Sequence, residues 1–384
     1  MFEQKTIGKF RLLPTPFYYY DLDLLTATLS SCSKEAGKYG FYLHYALKAN
    51  SNSRILALIS SSGYGADCVS GNEIMEANRN GFDPRQIMFS GVGKTDAEIR
   101  LALQLKIKSI NVESSQEMEV INGIAMEMGL TADISFRIIP NVDAHTHRYI
   151  TTGLEENKFG ILPWEFDSIL DKLKNLKNLR LKGLHFHIGS QITDLDIYKS
   201  LCHRVNEINA WFIGNQVFPE IINLGGGLGI DYGDPEKNRI PDFSSYFRVF
   251  KNFIELQGKQ ELHFEPGRAI VGQCGSLITK VLFVKKGVNT WFAIVDAGMN
   301  DLIRPALYQS YHKIENITSV EKFEKYDVVG PICESSDCFG KALPLAGTHR
   351  NDLLAIRSTG AYGQTMASQY NLRSPAATVY SDEL

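Results

Sequence analysis

Apolar, β-branched and aromatic residues gather along this chain in eight short clusters. They occupy 41–49, 63–70, 86–93, 108–114, 132–140, 181–189, 220–229 and 261–268. Each ends in or beside Gly, Asn, Ser or Pro, the punctuation of a strand. The stretches between them have helical spacing. In 164–178, for example, Phe166, Ile169, Leu170, Leu173 and Leu176 fall on one face, which predicts a helix there. Lys172, Lys174, Lys177 and Arg180 then form its solvated side. Eight strands alternating with helices predict a (β/α)8 TIM-like barrel, a fold of about 250 residues. An open doubly wound sheet would carry a Gly-rich dinucleotide turn after its first strand, and none is there. Beyond 268 the texture becomes strands and turns with little helix, as in SLITKVLFVKKG and TWFAIVDAGM. The fold class expected is therefore α/β, a barrel over 26–270 with a C-terminal all-β domain, 271–384. Residues 1–25, with Pro14 and Pro16 ahead of Phe17 to Tyr20, are expected to add a strand to that domain.

Composition narrows the function. With 44% hydrophobic and 22% charged residues the 384-residue chain is globular, neither disordered nor fibrous. A net charge of −3 gives no basic field for nucleic acid or acidic lipid. No apolar run reaches the roughly 18 residues of a membrane span. MFEQKTIGKF lacks the apolar core of a signal peptide, so the terminal Ser-Asp-Glu-Leu is read as coincidence and a cytoplasmic protein is expected. Six cysteines without a C-x-x-C pair, and no H-E-x-x-H, argue against a disulfide scaffold and a zinc site.

Barrels gather function at the C-terminal ends of their strands. Those ends hold Lys48, Asp67, His187, Gly225, Gly226 and Gly227, and Glu265-Pro266-Gly267-Arg268. Lys48 closes an aromatic strand, where desolvation would make its amine nucleophilic; a plain exposed lysine is the alternative. The glycines can turn backbone N–H groups on a phosphate, or simply make a tight turn. Glu265 and Arg268 are either site groups or a structural ion pair. Taken together they are the parts of a pyridoxal phosphate site: an amine, a phosphate cup and an acid for the ring nitrogen. Two motifs are set aside. SGVGKT (90–95) has Met88 where a P-loop needs its first glycine, and GGGLGI (225–230) has Ile where a dinucleotide turn needs its last.

The blocks YALKAN (45–50), HFHIGSQI (185–192), NLGGGLGI (223–230), EPGR (265–268), RPALY (304–308), GPICESSD (330–337) and GAYG…YN (360–371) resemble the alanine-racemase-fold (fold type III) amino-acid decarboxylases. Weaker blocks, TPFYYYD (15–21), SGVGKT and TTG…KFGI (151–161), extend the likeness over nearly the whole chain in order. The likeness is greatest to members that act on meso-2,6-diaminopimelate. It implies pyridoxal 5'-phosphate as cofactor, carried by Lys48. His187 would stack on the pyridine ring. Ser190 and the glycines 225–227 would contact the phosphate, with Asp67, Pro266, Gly267 and Arg268 in the same set. Glu265 would hold the pyridine nitrogen, where racemases of this fold place an arginine. Tyr362 would reach phosphate or substrate. Cys333 would donate a proton inside the neighbouring subunit's site, which implies a homodimer with shared active sites. Arg304 and Tyr308, helped by Arg268, would bind the distal carboxylate, and Glu334 the distal ammonium.

His185 is read as a core histidine and Cys338 as inert. Asp143, His145 and His147 look like a metal cluster, but similar segments of the family hold none, so no metal is expected. The chain looks slightly short for the family, which leaves the loops 141–150 and 340–350 less defined. The expected activity is release of carbon dioxide from diaminopimelate to give L-lysine, the last step of lysine biosynthesis. A sister decarboxylase of ornithine, arginine or a related amino acid is the alternative. A non-catalytic binding relative would be expected to have lost Lys48 or Cys333.

Overall fold

The computed structural model describes residues 2–142 and 158–384. The part of TTG…KFGI before residue 158, and the trio Asp143, His145 and His147, lie outside these. The first strand, β1 (Phe17–Tyr20), is followed by eight parallel strands that close on themselves. They are β2 (Tyr42–Ala46), β3 (Gly65–Cys68), β4 (Ile87–Phe89), β5 (Ser109–Val112), β6 (Ala132–Ile138), β7 (Leu179–Phe186), β8 (Ile221–Asn223) and β9 (Glu261–Phe264). β9 returns to β2 with Tyr42 opposite His263, which seals the barrel. The expected (β/α)8 architecture is what the chain forms.

Local chemistry explains how strands give way to helices. Ser70, Thr95 and Ser114 each accept a hydrogen bond from the backbone N–H three residues on, at Glu73, Glu98 and Glu117. Thr95 and Glu98 complete a capping box, so the end of SGVGKT is a helix start rather than a phosphate loop. The adjacent Lys94 is buried in an ion pair with Glu117 at 2.7 Å. The helix expected over 164–178 is shorter, running Phe166–Leu173. After Leu173 the backbone tightens into three-residue turns, Asn175 N–H to the Lys172 carbonyl and Leu176 N–H to that of Leu173. Asn178 then bonds away from the helix, its N–H donating to Asn122 and its side chain to the Leu130 carbonyl.

The chain divides into two compact units. The barrel unit comprises Leu29–Gly229 and Asp242–Gly267. The other holds Met1–Thr28, Ile230–Pro241 and Arg268–Leu384, so Ile230–Pro241, inside the range expected for the barrel, clusters with the sheet. Its strands continue as β10 (Gly275–Lys286), β11 (Trp291–Val295), β12 (Ile314–Asn316), β13 (Phe323–Val329), β14 (Cys338–Ala346), β15 (Leu353–Ile356) and β16 (Ala377–Tyr380). The sheet order is β12-β15-β10-β11-β13-β14, and β1 joins it between β10 and β16. The N-terminal strand thus belongs to the sheet, as Phe17 to Tyr20 suggested. Phe10, Phe17, Tyr19, Ile278, Leu353 and Ala355 form a core there. Among the described residues no helix is long and apolar enough to cross a membrane, and no group of three or more His, Cys, Asp or Glu is placed to hold a metal ion.

Candidate active site

At the C-terminal ends of the barrel strands the chain brings Lys48, Asp67, His187, Gly225 to Gly227 and Glu265 together. Strand β2 stops at Ala46, and Lys48 sits on a single turn, Leu47–Ala49, rather than on the strand. Its Nζ lies 2.7 Å from Oδ2 of Asp67. The Lys48 side chain keeps 36% of its exposure, so the ion pair, not the desolvation expected from its strand, defines its surroundings. Asp67 is fully buried and its other oxygen accepts from Ser90 at 2.8 Å. Burial and the nearby Glu265 push the Asp67 carboxyl up, against the opposing pull of Lys48.

Glu265 follows β9. Asn223 donates to one of its oxygens at 2.7 Å, and the other lies 3.0 Å from Nε2 of His185. Although burial opposes ionisation, the His185 and Lys48 side chains hold the Glu265 carboxyl well below the usual range. Two donors on a buried carboxylate fix it as an anion. Among the described residues, Nδ1 of His185 is buried without a hydrogen-bond partner, and the ring's contact to Glu265 runs through Nε2. His185, set aside from sequence as a core histidine, is therefore part of this cluster.

The glycines form a strap after β8. Gly225 and Gly227 have φ of +65° and +112°, and a Cβ on Gly226 would sit 2.2 Å from the Glu265 carbonyl oxygen. Only glycine lets the backbone pass here. The Gly225 N–H donates to Asn223 at 2.9 Å and that of Gly226 to Nδ1 of His187 at 3.3 Å. Two of the three N–H groups expected to face a phosphate thus have side-chain partners, one from Asn223 at the end of β8 and one from His187 after β7. His187 accepts through Nδ1. Burial, with Arg137 and Lys48 nearby, holds its ring well below the ordinary imidazole range, so it is neutral. Ser190 lies on the neighbouring loop, whose Ile192 N–H donates to the Gly227 carbonyl. Pro266 accepts from the Ala46 N–H at 3.2 Å, and Gly267 packs on Ala46 and Ala49.

The remaining expected residues lie in the sheet unit and fall into two groups. In the first, Arg268 and Arg304 meet at Tyr232, a residue not singled out from the sequence, and they carry Tyr362 and Tyr308 beside them. The Tyr232 hydroxyl accepts from Arg268 at 2.6 Å and from Arg304 at 3.4 Å. The Arg268 guanidinium also lies 4.9 Å from the Tyr362 ring centre, and that of Arg304 5.8 Å from Tyr308. Tyr362 has a left-handed backbone, φ +57°, unusual for a bulky residue and frequent at functional positions. Arg304 is only 6% exposed, yet among the described residues it has no carboxylate partner. Cys333 and Glu334 form the second group, on an exposed loop anchored by Asp337, which accepts from the N–H groups of Met299 and Ile332. Glu334 accepts from Tyr370 at 2.6 Å. Cys333 is exposed, while Cys32, Cys68, Cys202 and Cys274 are buried.

Residues 23–272 match the family model of the pyridoxal-dependent decarboxylases, pyridoxal binding domain. The chain is 56% identical over 379 residues to the diaminopimelate decarboxylase of Bacteroides thetaiotaomicron, with 98% of each chain covered. It is also similar to the crystal structure of the diaminopimelate decarboxylase of Helicobacter pylori complexed with L-lysine. That structure is 41% identical, covers 99% of this chain and 94% of its own, and superposes with a TM-score of 0.93. The lysine/ornithine decarboxylase of Vibrio vulnificus, 19% identical over the full length of both chains with a TM-score of 0.86, shares the fold.

Proposed function

The chain belongs to the pyridoxal-dependent decarboxylases, and we propose that it removes carbon dioxide from meso-2,6-diaminopimelate to give L-lysine, the last step of lysine biosynthesis. The observation that carries the substrate is Arg304. A buried guanidinium without a carboxylate partner among the described residues is costly unless a ligand supplies one. Diaminopimelate has such a group at the end away from the reaction, and ornithine has none. Arginine is suited to it by its planar fork of donors. Tyr308 and Arg268 assist, and Glu334 serves the distal ammonium.

Pyridoxal 5'-phosphate is the cofactor of this reading; when bound, it supplies an electron sink for the pair left as carbon dioxide departs. The residues fit it. Lys48 offers an amine held by Asp67, and Glu265 offers a fixed negative charge for a protonated ring nitrogen. His187 offers a neutral flat ring, and the glycine strap a groove that any Cβ would fill. Ser190, on the loop beside the glycine strap, would add a phosphate contact, and the family likeness gives Tyr362 the same role. One carbon–carbon bond breaks, and the Cys333 thiol delivers a proton to the carbon that lost carbon dioxide. The same reading makes the enzyme a cytoplasmic homodimer in which Cys333 serves the partner's site. Replacing Arg304 with Ala tests it: kcat/KM for diaminopimelate should fall by more than about a hundredfold, as the loss of a buried charge partner predicts. Unchanged kcat/KM refutes the assignment.

A further inference from the structure

We infer that His312 and Tyr232 are positioning residues that fix the aim of Arg304 and so set the enzyme's preference for ligands bearing a distal carboxylate. The inference rests on the role proposed for Arg304 and extends it to two residues outside every motif quoted for the family.

Arg304 opens a helix of five residues, Arg304–Tyr308, and its side chain has several rotatable bonds to hold still. It is held at two points. Nε donates to Nε2 of His312 at 3.4 Å, and Nη2 to the Tyr232 hydroxyl at 3.4 Å. The Tyr232 ring lies 5.7 Å from the guanidinium carbon, and the His312 ring stands edge-on to Tyr232 at 5.0 Å.

The protonation of His312 follows from its neighbours. Its Nδ1 lies 2.9 Å from the Arg357 carbonyl, which only accepts, so Nδ1 carries the hydrogen. The Arg357 N–H bonds back to the Lys313 carbonyl, and its guanidinium pairs with Glu236 and Glu315 at 2.6 and 2.8 Å. Nε2 of His312 is left with a lone pair in a neutral ring, the one form that can receive the Nε–H of Arg304. His312 is 1% exposed, so water does not replace this bond.

The choice of acceptors matters. A carboxylate at the His312 position would hold the guanidinium equally well but would cancel its charge. A neutral imidazole and a phenol hold it and leave the charge intact. Among the described residues two of its five N–H groups are engaged, and the other three are available to a ligand. The pair therefore acts as a mount for an anion site rather than as part of the chemistry.

The test compares two ligands of the holoenzyme, L-lysine, which keeps one amino-acid end of diaminopimelate, and pentane-1,5-diamine, which has no carboxylate. Wild type should bind L-lysine in preference to the diamine. His312→Leu should lose about tenfold or more of that preference, the scale of one hydrogen bond to a charged group. It should raise KM for diaminopimelate more than it lowers kcat, and leave the cofactor's absorbance unchanged. His312→Gln restores an acceptor and should recover most of the loss. Tyr232→Phe, which removes only a hydroxyl, should show the same selective loss and serves where the Leu variant does not fold. Wild type without a preference for L-lysine overturns the distal-carboxylate reading and this inference with it. Wild type with the preference, and variants that keep it or that weaken both ligands equally, overturn this inference alone.

Discussion

Nε2 of His185 stands 3.0 Å from Oε2 of Glu265, while Asn223 donates to the second oxygen. The histidine spends its donor on holding the carboxylate ionised, and the carboxylate is thereby ready to face a positive ring nitrogen. Glu265→Gln keeps the shape and loses the charge. Purified Glu265→Gln should retain cofactor yet lose about 10²–10³ in kcat, the scale of a removed electrostatic stabiliser. His185→Leu should lose less, about tenfold, because Asn223 still holds one oxygen. A Gln variant with wild-type kcat would remove Glu265 from the reaction.

Lys48 is the candidate for the cofactor amine among the described residues gathered at the barrel mouth. Borohydride treatment of the purified protein should fix the cofactor to the peptide containing Lys48, and Lys48→Ala should be colourless. Label on another lysine ends this assignment.

Cys333 is the exposed thiol among four buried ones and the partly buried Cys338. Cys333→Ala should keep the cofactor and lose about 10²–10⁴ in turnover, as for a missing general acid. Mixing Cys333→Ala with Lys48→Ala should restore part of the activity once subunits exchange, since each mixed dimer holds one intact site. A mixture that exchanges subunits and stays inactive contradicts the shared site.

Burial pushes His312 down to about 3 and His44 to about 4, from an ordinary 6.5. A depressed histidine is neutral when folded, so on acidification the unfolded chain takes up the proton first. Its contribution to stability is complete above about pH 6.5 and is lost as pH falls toward the folded value, at ~1.4 kcal/mol per pH unit. Urea unfolding at pH 7 and pH 5 should therefore show a decline that is smaller by about 2 kcal/mol in His312→Gln than in wild type. Equal declines would mean that His312 is protonated in the folded protein.

The barrel was readable because each strand is a short apolar cluster ended by a breaker, and because the helices between them carry their own caps. Lys48, Glu265 and the glycines were readable for a related reason: they stand where strands stop, and a barrel puts its chemistry there. Tyr232 and His312 were not, because their roles come from contacts 72 and 8 residues away from Arg304 in sequence. His185 is buried and bonded, as expected of a core histidine, but its link to the site was not readable because its partner, Glu265, lies 80 residues on. The 164–178 helix overran because periodicity sees Leu176 but not the tighter turns after Leu173 or the two bonds that capture Asn178. Local pattern fixes elements, and the identity of a polar partner across the barrel is not a local property.

Decarboxylase chemistry is here paired with a substrate that has two amino-acid ends, and that pairing is open to one direct measurement. Carbon dioxide release by the purified holoenzyme should be followed with meso-diaminopimelate, ornithine and arginine side by side. Diaminopimelate should give carbon dioxide and L-lysine in equal amounts, with kcat/KM more than about a hundredfold above that for ornithine or arginine. Faster release from ornithine or arginine, or none from diaminopimelate, would contradict it.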